Sequence, residues 1–248
     1  MESPVCINLK ERLDKLKKVS RVFERLNLRV NFYRPEKHAL GGRVGCFESH
    51  VSVIDNHYKK GAKYVVIFED DIVPTHKFHK KDLSYYCNFL DQHPEIQYLQ
   101  LGYTILPHEI KDYVVAPFLD KRHKVVKYCG NTTHAYILSR AGMEEVLSTW
   151  RRACYEEELH IDLFYKGIFK ETSACSCPLY FDQDFCLENN NEPASALYYI
   201  ALRKLSCAES RTGMFYKISV LKRTFVTWIL LILLFGLIFQ KLARRTIS

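Results

Sequence analysis

Residues 64–71, YVVIFEDD, set a run of β-branched and aromatic side chains directly before three consecutive carboxylates. Such a run predicts a buried strand, and carboxylates crowded at its carboxyl end repel one another unless a cation sits among them. Open α/β sheets bind their ligands at that end of their strands. The segment therefore predicts a sheet whose rim carries Glu69, Asp70 and Asp71. Oxygen donors of this kind suit Mg²⁺ or Mn²⁺ holding a substrate phosphate. The competing expectation is a solvated acidic turn after an edge strand.

The flanking sequence supplies the rest of a parallel unit. Residues 5–9, VCINL, predict a first strand, and Leu13, Leu16, Val19, Phe23 and Leu26 recur at helical spacing among basic residues, predicting an amphipathic helix over 11–27. Residues 28–33 predict a second strand. A polar loop ending in Gly41-Gly42-Arg43-Val44-Gly45 follows, then a helix from near Gly45 to Gly61, whose glycine suits a helix C-terminus. Strand, helix, strand, helix, strand is the signature of a parallel sheet. Further on, 96–102 predicts a strand, 114–126 is ambiguous, 135–138 predicts a short strand and 140–150 a helix. Glu156-Glu157-Glu158 is expected on a solvated helix face.

The net charge of +8 points toward nucleic acid only until it is divided along the chain. Of 36 Lys and Arg, nine lie from Arg203 onward against one acid, Glu209, so 36 − 9 = 27 bases and 28 − 1 = 27 acids precede it. A neutral domain lacks the electrostatic footprint that nucleic-acid binding needs. The tail holds an uncharged run at 225–239, FVTWILLILLFGLIF, bracketed by Lys222, Arg223 and Lys241. Its helix spans about 22 Å of a hydrocarbon core of about 30 Å, a gap that snorkelling bases and bilayer thinning close. A buried C-terminal helix is the alternative. The expected organisation is a catalytic domain at 1–193, a juxtamembrane connector at 194–221, a transmembrane helix at 222–241 and a short basic tail at 242–248. With no signal peptide read before the first strand, the expected placement is a single-pass C-terminal anchor with the catalytic domain in the cytosol. Nine scattered cysteines suit a reducing compartment.

Several segments can converge on the rim of the sheet. The helix opening near Gly45 presents backbone N–H groups to a phosphate, and Arg43 lies where its planar fork can pair with that charge. Ser49 and His50 sit one turn into this helix. His50 is a candidate catalytic group, or else a hydrogen-bonded structural residue.

The segments VCINLKERLDK, GGRVGCFESHVSVI, YVVIFEDDIV, GNTTHAYILSRAGMEEVL, HIDLFY and CPLYFDQD resemble, in this order, glycosyltransferase family 25, the group of lipooligosaccharide and procollagen galactosyltransferases. The resemblance covers roughly residues 4–190. It implies a GT-A-like nucleotide-sugar fold, a UDP-sugar donor, a divalent metal, commonly Mn²⁺, and inversion of the anomeric centre. On this resemblance a metal on Asp71 and one neighbour, Glu69 or Asp70, neutralises the departing diphosphate. Asp162 is the first candidate for the base that takes the acceptor proton, with helix capping as its structural alternative. Asp184 and Glu188 are weaker candidates. His134 and Gln183 are expected to line the pocket, and Asn8 and Arg12 to receive the nucleotide base and ribose.

Two departures bear on function. Arg43 stands where many members carry an acid, and the chain is shorter than most relatives, which leaves the acceptor open among glycan, lipid-linked and protein classes. A catalytically silent homologue serving adhesion or scaffolding is the main rival, and a nucleotidyltransferase or phosphatase explains the acidic triplet but not the other five segments.

Overall fold

The computed structural model describes residues 3–184 except 107–108 and 121–124. Glu188, the connector, the 225–239 run and the basic tail lie outside the described residues. Among the described residues no helix is long and apolar enough to cross a membrane.

The chain opens as expected. β1 (Val5–Ile7), α1 (Leu13–Arg25), β2 (Asn31–Tyr33), α2 (Gly42–Lys59) and β3 (Tyr64–Glu69) follow one another, and β1 pairs in parallel with both β2 and β3. α2 begins earlier than the sequence suggests, because Gly41, at φ 95°, turns the chain in a conformation that side chains disfavour. Its far end closes as predicted. Gly61 sits at φ 75°, its N–H bonds to Tyr58 O, and the next N–H, of Ala62, bonds to His57 O, the two bonds of a Schellman motif.

After β3 come β4 (Ile72–Pro74), α3 (Lys80–Gln92), β5 (Tyr98–Thr104), α4 (Ile110–Val115), β6 (Phe118–Asp120), β7 (Val125–Val126) and β8 (Asn131–Ser139). They are followed by α5 (Arg140–Arg151), one turn of π-helix at Arg152–Glu156, α6 (Ile161–Ile168), β9 (Ser173–Ser176) and β10 (Phe181–Gln183). The ambiguous 114–126 stretch thus divides among α4, β6 and β7. Glu156, Glu157 and Glu158 are solvated, but on the π-turn and the bend that ends it.

The sheet is mixed, in the order β2-β1-β3-β8-β5-β9-β7-β6, with β8 running antiparallel between β3 and β5. Helices cover both faces. Val66 and Phe68 of β3 join Val19 and Phe23 of α1 and Leu83 and Phe89 of α3 in one core. Val65 and Ile67 join Phe47 and Ile54 of α2, Met143 of α5 and Tyr165 of α6 in the other. Side chains alternate faces along a strand, so a strand covered on both sides reads as an unbroken apolar run, and this is why β3 does.

Candidate active site

The same alternation continues past the end of β3 and separates the acidic triplet. Glu69 follows Val65 and Ile67 toward α2. Its Oε1 accepts from Thr133 Oγ1 at 2.9 Å and lies 3.5 Å from His50 Nε2. Asp70 follows Val66 and Phe68 toward α1, where its Oδ1 accepts from Lys15 Nζ at 3.1 Å and its Oδ2 from Asn8 Nδ2 at 2.8 Å. Asp71 lies in the turn before β4. Antiparallel pairing of Gln183 with Ile72 brings Gln183 Nε2 to 3.0 Å from Asp71 Oδ2, while Asp71 Oδ1 is buried without a hydrogen-bond partner.

The three carboxyl groups differ electrostatically in consequence. Burial, reinforced by the charge of Glu69 and against the pull of Lys15, pushes Asp71 up to about 7. Burial works against ionisation of Glu69 too, but His50, His134 and the Thr133 hydroxyl outweigh it and hold that carboxyl below its usual range. Asp70 is matched by a lysine whose side chain is only 3% exposed. Lys15 was not a predicted site residue, yet the sequence marks it. At helical spacing residues 15, 19, 22, 23 and 26 share one face, and Lys15 is the charged member of that face. Leu13, counted among the apolar positions, is instead 62% exposed.

Glu69 is held by an irregular start to β8. Register between β5 and β8 shifts on either side of Gly102, so the strand bulges over residues 131–134. Thr132 takes φ 74°, rare for a β-branched residue. Its hydroxyl meets His134 Nδ1 at 2.9 Å and its carbonyl accepts from Gln100 Nε2 at 3.1 Å. Asn131 donates to Thr104 O at 3.2 Å and Glu109 Oε2 at 2.6 Å, and accepts from Lys166 Nζ of α6 at 3.0 Å. Lys166 also pairs with Glu109. Backbone strain and bulges of this kind gather at functional sites.

The remaining candidates fall on two sides of the rim. On the side of α1, Asn8 Nδ2 bonds to Arg12 O at 3.1 Å as well as to Asp70, leaving the buried Asn8 Oδ1 without a partner. Arg12 pairs through two nitrogens with Asp14, and Asp184 pairs with Lys18 of α1. On the other side, His50 Nδ1 lies 2.8 Å from Tyr136 OH, which lies 3.1 Å from Tyr165 OH. His134 is fully buried, its Nε2 at 3.1 Å from Phe181 O, and burial lowers its pKa. Asp162 is the second residue of α6 and not its cap, a position held by His160. Burial raises the Cys46 thiol, and the charges of Glu69, Asp162, Asp71 and Asp70 act in the same direction. Arg43, expected to meet a phosphate, donates from Nη1 to Cys154 O at 2.7 Å and Leu159 O at 3.3 Å.

A metal can be tested against this donor set. Among the described residues no three His, Cys, Asp or Glu side chains are arranged to share one ion. Asp70 is turned away onto Lys15 and Asn8. The orphaned, buried Asp71 Oδ1, with Glu69 close enough to raise its pKa, is a feature that a cation would relieve. Two carboxylates fit an ion whose other positions are filled by substrate phosphate and water, as Mg²⁺ is commonly bound, and do not fit a dedicated protein cage.

A family model described as glycosyltransferase family 25 (LPS biosynthesis protein) matches residues 34–164, just over half of the chain. The match spans α2, the acidic triplet, β8 and the start of α6, and stops short of Asn8, Arg12 and Gln183. No curated protein matches. Among solved structures, a glycosyltransferase involved in the glycosylation of the major capsid of PBCV-1 is 12% identical over 82% of this chain and 98% of that chain, with a TM-score of 0.45. A197 from STIV is 10% identical over 78% and 98%, at 0.39. CMP:2-keto-3-deoxy-manno-octonic acid synthetase complexed with CTP is 10% identical over 71% of each chain, at 0.32. Structural likeness at this level carries no argument about activity.

Proposed function

The chain belongs to glycosyltransferase family 25, and on that premise we propose that it transfers a hexose, galactose or glucose, from a UDP-sugar to a glycan, lipid-linked or protein acceptor with inversion, in a GT-A-like domain anchored at a membrane by the 225–239 run. The observation that carries this is the buried, unpartnered Asp71 Oδ1 beside Glu69 at the carboxyl rim of the sheet. A carboxylate so placed is costly unless a cation or a proton joins it.

Asp71 and Glu69 would hold a divalent ion, Mn²⁺ or Mg²⁺. That ion, when bound, supplies positive charge for the diphosphate leaving group. Gln183 Nε2 donates to Asp71 Oδ2 at 3.0 Å, which would leave Oδ1 free to meet the ion. Thr133 and His50 orient Glu69 from the opposite side. Lys15 pairs with Asp70, which leaves Glu69 and Asp71 to face the ion. Asn8 Oδ1 offers a buried acceptor toward the nucleoside, with Arg12 beside it. Asp162, half-buried on α6, takes the proton of the acceptor hydroxyl as its oxygen attacks the anomeric carbon and the bond to the diphosphate breaks.

The test is UDP release by the full-length chain in detergent from a panel of UDP-sugars, with and without Mn²⁺, beside Asp71→Ala. Metal-dependent release that disappears in the variant is expected. A folded protein that neither binds nor cleaves any UDP-sugar would move the assignment to a catalytically silent scaffold.

A further inference from the structure

We infer that Arg43 is a positioning residue for Asp162, not a phosphate ligand; this rests on Asp162 as the acceptor-side base. Arg43 is the second residue of α2, and its Nη1 reaches across to two carbonyls of the segment that leads into α6, Cys154 O at 2.7 Å and Leu159 O at 3.3 Å. Those carbonyls bracket the one residue there with a left-handed backbone, Glu158 at φ 51°. A non-glycine residue in that conformation persists only where its surroundings fix it. The fixing contacts are the Arg43 guanidinium, the Leu159 N–H bond to Ala153 O at 2.9 Å and the Glu157 N–H bond to Arg152 O at 3.0 Å.

What this bend delivers is the start of α6. His160 caps the helix, the Phe164 N–H bonds to His160 O at 3.0 Å, and Asp162 lies between them. Phe47, one turn along α2 from Arg43, packs against Phe164 with ring centroids 5.2 Å apart. One helix thus grips α6 twice, through a charge-assisted hydrogen bond at its approach and an aromatic contact within it. Tyr165 OH of α6 lies 3.1 Å from Tyr136 OH, which lies 2.8 Å from His50 Nδ1, and His50 Nε2 lies 3.5 Å from Glu69 Oε1, so α6 is tied to the acidic site. Arg43 therefore sets how Asp162 stands toward the donor-side carboxylates. A guanidinium can hold two carbonyls without titrating, which an acid at this position cannot do.

The experiment measures UDP release with UDP-galactose and UDP-glucose as donors and p-nitrophenyl hexosides as acceptor probes, for the full-length wild type, R43M, R43K, D162N and R43M/D162N. R43M is expected to lower kcat between about 10- and 100-fold, the scale of a misplaced catalytic group, with the donor KM unchanged, R43K recovering part of the loss, and the double variant no slower than D162N. A raised donor KM in R43M, or a double variant slowed by the product of the two single effects, overturns the inference while leaving Asp162 as base. D162N at the wild-type rate removes Asp162 from the reaction and overturns both.

Discussion

Replacing Lys15 by Met tests how the acidic triplet is kept folded. The Lys15 side chain is 3% exposed and that of Asp70 10%, with Nζ to Oδ1 at 3.1 Å. Removing one member of such a pair strands the other, at a cost of about 3–5 kcal/mol. For a domain of this size each kcal/mol lowers Tm by about 2–4 °C, so K15M is expected to unfold roughly 6–20 °C below wild type by circular dichroism at pH 7. Asp70→Asn alone leaves the lysine buried and unpaired and should also destabilise. The double variant K15M/D70N leaves no charge stranded and should recover much of the loss. It should also retain metal-dependent UDP release, since it removes equal and opposite charges near Asp71. A loss under about 1 kcal/mol for K15M, the scale of an exposed pair, would show that the site is wet. Loss of metal dependence in K15M/D70N would make Asp70 a metal ligand and refute the division of the triplet.

Three further outcomes follow from local geometry. Gly102→Ala places a Cβ 2.2 Å from His134 Nε2 and 2.8 Å from Phe181 O; overpacking plus loss of the His134 hydrogen bond should cost at least about 2 kcal/mol in urea unfolding, and a neutral variant would mean the β5–β8 bulge is plastic. Mn²⁺ alone is expected to move Tm little, because only two carboxylates await it, whereas Mn²⁺ with UDP at about 100-fold over Kd should add about 2.7 kcal/mol, an increment that D71A abolishes; an equal shift from Mn²⁺ alone would indicate a complete protein cage. Asn131 heads the sequon Asn131-Thr132-Thr133, but its side chain is committed to Thr104 O, Glu109 and Lys166; peptide mass spectrometry should find it unmodified, and a glycan on Asn131 of folded, active protein would refute that network.

The parallel β1–β2–β3 unit was legible because each element carries its own local signal: helical spacing in α1, a glycine at φ 75° closing α2 and an apolar run in β3. β8 was legible only in its regular half. Residues 135–138 pair in register with β3, whereas residues 131–134 bulge, and their order depends on Gln100, Glu109 and Lys166, which lie far away in sequence. Short strands such as β4, β9 and β10 carry too few residues for periodicity to register; they form because β10 finds both β4 and β5 while β9 finds β5 and β7. Arg43 illustrates a different obscurity. A basic residue at the start of a helix predicts an anion by every local rule, and only the approach of residues 154–159 supplies two carbonyls instead.

The acidic triplet shows how residues adjacent in sequence come to occupy separate environments. Three adjacent carboxylates look like one cluster in sequence, yet a period of two sends neighbours to opposite faces of a sheet. Because β3 is buried on both faces, Glu69 and Asp70 enter different environments, one built by His50 and Thr133 and the other by Lys15 and Asn8. Only in the turn beyond the strand does the rule lapse, and there Asp71 comes back within the field of Glu69 with one oxygen unsatisfied. The run that predicts the strand therefore also predicts the division of the carboxylates after it. Asp70 serves as the counter-ion that permits a buried lysine beneath the rim, and on the proposed function it is Glu69 and Asp71, the pair flanking it, that would face an ion brought with the diphosphate.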